Sequence, residues 1–337
     1  MKIDTSLMFD PGKVADMAGE LERAGFDGAY TFEGQSDPFI GLAAAALRTE
    51  RMALMTAIAV AFARNPMNLA YLANDLQTLS KGRFILGLGT QVKAHIEKRF
   101  NMPWSKPAQR MREMVLAIRA IWHSWQTGEK LKFEGEFYRH TLMSPVFSPP
   151  PNPYGVPPIF VAGIGPAMTE VAGEVGDGYF VHPFNSQRSL ADLSLQALER
   201  GLAKAGARQE NFQIAAQVIT ATGLDEQSMQ QAVFSARSQI AFYASTPAYL
   251  PVLQCHGWED LQSKAAQLAA QGKWMEMANL VDDEMLHTFA VVGTPQEVAR
   301  EIAARYRGKV DRLSPVAYQP DTKLLVALLQ ELRRALQ

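Results

Sequence analysis

The sequence predicts a single (β/α)8 barrel with two insertions, and three observations carry that prediction. Apolar strand-like runs and amphipathic helical stretches alternate about eight times along the 337 residues. Several of the strand-like runs are apolar along their length and turn polar or glycine-rich at their C-terminal tips. Parallel strands have this character where a fold presents a site. No linker-like stretch divides the chain, so the alternation belongs to one domain, residues 1–337.

Taken in order, Lys2 to Met8 alternates like a strand, and Gly12 to Ala24 carries Val14, Met17, Ala18 and Leu21 at helical spacing. Gly25-Phe26-Asp27-Gly28 turns the chain into a short strand, Ala29 to Phe32, and Pro38 to Leu47 is an alanine-rich helix. Met52 to Val60 reads as the third strand. Pro66 opens a helix to Leu79, because proline's fixed φ suits a first helical turn. Arg83 to Gly89 is the fourth strand. Gln109 to Gln126 is the clearest helix, with Met111, Met114, Val115, Ile118, Ile121, Trp122 and Trp125 on one face. The rhythm breaks over an insertion at about 128–157, where Phe133 to Tyr138 reads as a hairpin and a proline-rich stretch follows. It resumes with a strand at Ile159 to Ala162, a helix at Ala167 to Val175 and a strand at Gly178 to Val181. A helix at Ser189 to Ala205, a strand at Phe212 to Thr222 and a helix at Glu226 to Tyr243 come next. A second insertion, about 245–280, begins irregularly at Ser245 to Trp258 and ends in two short helical patterns. Val292-Gly293-Thr294-Pro295 turns into the helix Gln296 to Tyr306. Asp311 to Ala317 is the last strand, and Thr322 to Leu336 closes the chain with leucines on one side.

The bulk numbers narrow the function. A hydrophobic content of 47% suffices for a large core, and a net charge of −1 gives no reason to expect nucleic acid or an acidic membrane surface as partner. The single cysteine, Cys255, excludes an internal disulfide framework and a cysteine-rich metal site, and fits a reducing compartment. The start of the chain has no long apolar stretch, and Ala53 to Ala63 falls short of the roughly 20 residues that span a bilayer. The expectation is a cytoplasmic protein with no membrane partner.

Two strand tips stand out. Phe84 to Leu88 runs into Gly89-Thr90-Gln91, and Ile159 to Ala162 runs into Gly163-Ile164-Gly165-Pro166. Both resemble part of a dinucleotide fingerprint, but neither has the third glycine or the acid about 20 residues on. Gly163 to Met168 reads either as a plain tight turn or as a cradle whose backbone N–H groups bind a phosphate at a helix start. The histidines show no zinc-protease spacing and no accompanying carboxylates, so no metal site is expected. His182 follows a strand and belongs on the catalytic rim, and His95 follows the fourth tip. Each reads either as a structural or as a catalytic histidine. Glu33 ends the second strand and reads either as a solvated or capping acid or as a ligand of substrate or cofactor. There is no Gly-x-Ser-x-Gly elbow and no phosphate-loop lysine motif, so serine and nucleotide hydrolysis have no support.

With those residues in view, the chain resembles the bacterial luciferase-like superfamily. Ser80-Lys81-Gly82-Arg83-Phe84-Ile85-Leu86-Gly87-Leu88-Gly89-Thr90 is the strongest match. Gly25-Phe26-Asp27, Asn65-Pro66, Arg110 to Trp122, Gly135-Glu136-Phe137-Tyr138, Val161 to Pro166, Gly173 to Gly178 and Val292 to Pro295 follow in order. The branch it most resembles is the coenzyme F-420-dependent oxidoreductases. Thr90 to Lys93 and Ser245 to Tyr249 are similar to a subgroup of uncertain substrate.

The resemblance implies a luciferase-type barrel with coenzyme F-420, or alternatively FMN, across the strand tips. It implies a bulged third strand with a non-proline cis peptide at Ala57–Ile58 beneath the ring. It places the cofactor phosphate on Gly163, Ile164, Gly165, Pro166, Ala167 and Met168, and the ring or its side chain on Thr90 and Gln91. The superfamily's sugar-phosphate dehydrogenases carry a catalytic histidine where Gly34 stands and a glutamate where Val92 stands, so neither that substrate nor that acid–base pair is expected. The acid–base work then falls to His182, with Glu33 and His95 behind it. Three functions follow. The first is hydride transfer between coenzyme F-420 and a small organic substrate. The second is an FMN-dependent monooxygenase served by a partner flavin reductase, and the third is a non-catalytic flavin-binding protein. A homodimer is the expected assembly.

Overall fold

The computed structural model describes residues 1–7, 10–206, 211–318 and 322–337. Eight parallel strands close into a barrel. They are β1 (Lys2–Ser6), β2 (Gly28–Thr31), β3 (Ala53–Thr56), β4 (Phe84–Gly89), β5 (Ile159–Gly163), β6 (Gly178–Val181), β7 (Gln213–Ala221) and β8 (Arg312–Ala317). Each pairs with the next, and β8 returns to β1 through Lys2 opposite Arg312. This is the closed α/β barrel that the alternation predicts. Met8, placed in the first strand by the sequence pattern, lies outside the described residues.

Most of the strands are largely apolar on both faces because both are covered. Inward residues Tyr30, Met55, Ile85, Phe160, Phe180 and Ala215 fill the barrel. Outward residues such as Ile3, Leu54, Leu86 and Val161 meet a ring of helices. That ring contains α1 (Val14–Ala24), α2 (Pro38–Ala46), α3 (Pro66–Leu79), α4 (Pro107–Thr127), α5 (Pro166–Val175), α6 (Gln196–Lys204), α7 (Pro295–Tyr306) and α8 (Thr322–Leu336). The helix starts follow local chemistry. Asn65 caps α3 ahead of Pro66, and Thr294 and Glu297 form a reciprocal capping box on α7.

The barrel floor is polar. Arg312 on β8 donates two hydrogen bonds, at 2.8 and 2.6 Å, to the Asp4 carboxylate on β1, and both residues are buried. Gly28 makes room for this pair: a Cβ there would stand 2.4 Å from Asp4 Oδ1 and 2.5 Å from Arg312 Nη2. A cavity of about 880 Å³ opens below the floor, lined by Lys2, Phe26, Arg51 and Arg83 among others. It lies at the strand N-termini, the face that barrels use for stability rather than chemistry.

The insertions depart in detail from the sequence reading. The first forms its hairpin from Phe133–Glu134 and Arg139–His140, with the expected Gly135 to Tyr138 as the turn. Glu113 on α4 holds that turn by accepting from the N–H groups of Glu136, Phe137 and Tyr138 at 2.9, 2.7 and 2.5 Å. The second excursion is longer and more helical than the span 245–280. It runs over residues 226–289 with helices Glu226–Ala244, Leu250–Gln254, Glu259–Ala270, Trp274–Ala278 and Asp283–Phe289. These helices share a core of their own around Ala236, Ile240, Leu253, Ala265 and Phe289. The excursion ends in a short strand, Ala290–Val292, that pairs with the upper half of β7. The sequence pattern reads Val292 as a turn and misses that strand.

Candidate functional site at the barrel mouth

The C-terminal ends of the strands form an open rim. Ser6, Ile58, Thr90, Ala162, His182 and Tyr318 are all half-buried, although the strands beneath them are buried. Gln217, midway along β7 between buried neighbours, is also half-buried. Its accessible surface therefore belongs to a hollow that reaches down into the barrel.

At the third tip, the strand stops at Thr56 and resumes at Ala59–Val60, and the Ala57–Ile58 peptide bond is cis. The interruption leaves Gly87 of β4 without a ladder partner on the β3 side, and Thr56 fills the gap. Its hydroxyl donates to Gly87 C=O and accepts from Gly87 N–H, both at 2.8 Å. Gly87 has to be glycine here, since a Cβ would lie 1.8 Å from Thr56 O. The Ile58 side chain covers Gly89, where a Cβ would approach it to 2.8 Å.

Glu33 is committed to this same bulge. Its N–H donates to Ile58 C=O at 3.1 Å. Its Oε2 accepts from Val60 N–H at 2.7 Å and from Arg64 Nη1 at 2.5 Å, while Arg64 also reaches Asp37 at 2.8 Å. A carboxylate bonded this way holds the bulge. His95 sits exposed on a short helix, Lys93–Lys98, that the sequence pattern does not show. Between them, Gln91 has a left-handed backbone (φ 60°), and its Oε1 accepts from Val92 N–H at 2.9 Å.

The fifth tip is a cradle. Gly165 is the residue before α5 and has no side chain to cap it. Pro166 follows, so the first free donors of α5 are the N–H groups of Ala167 and Met168. A Cβ on Gly163 would collide with Met168 at 2.8 Å, whereas the space before Gly165 is open, with nothing within 4 Å. The carbonyls of the cradle are tied back: Tyr179 Oη donates to Gly163 C=O at 2.7 Å, and Thr169 N–H and Oγ1 donate to Gly165 C=O at 3.1 Å. The helix dipole and free N–H groups therefore face an open space that suits an anion. Tyr179 and Thr169 escape the sequence reading because each looks like an ordinary core position.

At the sixth tip, His182 continues the inward alternation of Gly178 and Phe180. Its Nδ1 accepts from Phe184 N–H at 3.0 Å, which assigns the proton to Nε2. Burial pushes its pKa down to about 3, so the ring is neutral near pH 7. In that tautomer its Nε2–H is the ring's hydrogen-bond donor. Its ring packs against Tyr243 and Tyr249 of the excursion at 4.8 and 4.7 Å. Ser186 on the next loop bonds His256 Nε2 at 2.8 Å, a second tie between rim and excursion. Among the described residues, no group of three or more His, Cys, Asp or Glu residues is placed to hold a metal ion. No helix among them is long and apolar enough to cross a membrane.

Comparison with known proteins agrees with the fold. The family model described as luciferase-like monooxygenase matches residues 2–312. An uncharacterised protein of Mycobacterium tuberculosis is 51% identical over 334 residues, which cover 99% of this chain and 98% of the relative. The F420-dependent glucose-6-phosphate dehydrogenase of Nakamurella multipartita is 29% identical over 240 residues, covering 67% of this chain and 68% of the relative. Among solved structures, the coenzyme F420 dependent tetrahydromethanopterin reductase from Methanopyrus kandleri superposes with a TM-score of 0.81 at 22% identity, covering 100% of this chain and 99% of that one.

Proposed function

The chain belongs to the luciferase-like monooxygenase family, and we propose that within it this protein is a hydride-transferring oxidoreductase that binds coenzyme F-420 across the barrel mouth. The observation that carries the proposal is the cradle at the fifth tip. Its open face at Gly165 and the free N–H groups of Ala167 and Met168 suit a cofactor phosphate. Gly163, Ile164 and Pro166 complete that cradle. The interruption of β3 at Ala57 and Ile58 would lie under the ring, and Thr90 and Gln91, which follow the tip of the neighbouring β4, would contact it. The F420-dependent relative supports the choice of deazaflavin. Bound there, coenzyme F-420 would supply a ring carbon that gives or takes a hydride.

The chain's own groups would position and shield that chemistry. Glu33 and Arg64 fix the bulge, Tyr179 and Thr169 fix the cradle, and the helical excursion packs its tyrosines against His182 at the sixth tip, where it would limit the access of water. Neutral His182 would donate from Nε2 to a substrate oxygen. The sugar-phosphate pattern is absent: Gly34 and Val92 offer no side chain able to exchange a proton.

Oxygen reactivity of the reduced complex tests the reading. With reduced coenzyme F-420 bound, the complex should survive in air, because a deazaflavin does not readily activate oxygen. If instead reduced FMN binds and is consumed with oxygen uptake while coenzyme F-420 does not bind, the protein is a monooxygenase dependent on a flavin reductase. Tight FMN binding without turnover of any kind makes it a flavin-binding protein.

A further inference from the structure

Three tyrosines gather over the mouth from distant parts of the chain. Tyr318 follows the tip of β8, while Tyr243 and Tyr249 come from the helical excursion. Their rings and His182 lie together: His182 is 4.8 Å from Tyr243 and 4.7 Å from Tyr249, and the two tyrosines are 6.0 Å apart. Phe184 backs the group, 5.9 Å from Tyr243 and 6.2 Å from Tyr249. All three tyrosines and His182 are only half-buried, so they form a partly open wall rather than a sealed core.

Among the described residues, two polar atoms in this wall lack a well-formed hydrogen bond. The Tyr318 phenol oxygen is buried and makes no hydrogen bond of sound geometry, although the Tyr243 phenol is near enough to act on it. His182 Nε2 makes none among the described residues, where the ring bonds through Nδ1 alone. A buried polar atom left unpaired is unfavourable unless something arrives to pair it.

The wall also carries no charge. Among the described residues, no Lys, Arg, Asp or Glu acts on His182, Tyr243, Tyr249 or Tyr318; besides one another and Tyr30, their one further neighbour is Gln239, an uncharged amide that bonds Tyr243. Burial holds the phenols protonated and the imidazole neutral. An anionic substrate would lose its hydration here and meet no cation in return.

We propose that this aromatic wall is the substrate subsite and that it takes an uncharged, largely apolar alcohol or carbonyl compound, whose oxygen is held by the Tyr318 hydroxyl and His182 Nε2–H. The proposal deepens the oxidoreductase reading and rests on it for the placing of a cofactor beside the wall. Phosphate-bearing and carboxylate-bearing substrates are excluded by the wall's neutrality. Tyr318 sets specificity by pairing the oxygen, and Tyr243 and Tyr249 set it by shape.

Ligand-observed NMR on the full chain tests this, with and without coenzyme F-420. Cyclohexanone, cyclohexanecarboxylate and glucose 6-phosphate serve as probes. Cyclohexanone is expected to bind about tenfold or more tighter than either anion. Tyr318→Phe removes only the hydroxyl and should weaken cyclohexanone about fivefold while leaving coenzyme F-420 titration unchanged. Equal binding of the carboxylate, no cyclohexanone binding at millimolar concentration, or an unchanged cyclohexanone affinity in Tyr318→Phe each overturns the subsite. The wild-type comparison of ketone with anions holds even if that variant fails to fold, and His182→Phe then supplies the second probe of the wall. Ketone selectivity without binding of coenzyme F-420 or FMN defeats the oxidoreductase reading and leaves the subsite standing. Cofactor binding without ketone selectivity does the reverse.

Discussion

Gly165 does its work by having no side chain. Its φ of −93° is ordinary, and a Cβ there meets nothing within 4 Å, so Gly165→Asp fits the fold. Aspartate is also a good residue to precede a helix, so stability should hold or rise slightly. Its carboxylate would occupy the anion's place, and cofactor affinity should fall at least about 100-fold by like-charge repulsion and loss of the free N–H groups. Thermal unfolding and cofactor titration on the same sample check both halves. Retained affinity in a folded variant removes the phosphate from this tip. His182 gives a second prediction at this scale. Its pKa in the fold is pushed down to about 3, against about 6.5 for an unconstrained histidine. The unfolded chain therefore binds the extra proton between those values, and stability is lost as pH falls from about 6.5 towards 3. His182→Asn should flatten that part of the stability–pH curve, measured by thermal unfolding. An identical slope in the variant would show that His182 is open to water.

The β3 interruption is the element on which the mouth depends, and Gly87 is its tightest point. Gly87→Ala would drive a methyl into Thr56 O and the Phe180 ring. We expect a loss of about 2–4 kcal/mol of stability by chemical denaturation, because neither backbone nor core ring has room to give. A loss under about 0.5 kcal/mol would mean that the bulge relaxes freely. Such elements differ in how far the sequence reveals them. The glycine-rich tips at Gly89 and Gly163 are legible because a run of buried apolar residues ends abruptly in small ones. The excursion is not. Pro247 and Pro251 read as breakers, yet each sits in the first turn of a helix, where proline is tolerated. Glu33 is visible as an acid at a strand tip, but its bonds to Val60 and Arg64 exist only once β2 and β3 are paired. The tyrosine wall is invisible for a similar reason: Tyr243 and Tyr249 lie close together in the excursion, but Tyr318 and His182 join them only through the closed barrel.

At the scale of the whole molecule, the two ends of the barrel divide the labour. The floor is held by the Asp4–Arg312 pair, where burial raises the Asp4 carboxyl's pKa even against the arginine beside it. Arg312→Met would leave that acid buried and unpaired, and should cost about 3–5 kcal/mol in denaturant unfolding. Arg312→Met with Asp4→Asn should recover part of the loss, and no recovery would show that the pair is not coupled. The mouth is the opposite: polar atoms there are left unpaired, and side chains stay half-open to solvent beneath a helical excursion with its own core. The central claim is that this mouth binds a deazaflavin through the Gly163–Met168 cradle. Titrating the protein with coenzyme F-420 and with FMN, following ring fluorescence, measures it directly. The account predicts saturable binding of coenzyme F-420, tighter than FMN, and abolished by Gly165→Asp. Absence of binding by either cofactor, or binding that Gly165→Asp leaves unchanged, would contradict it.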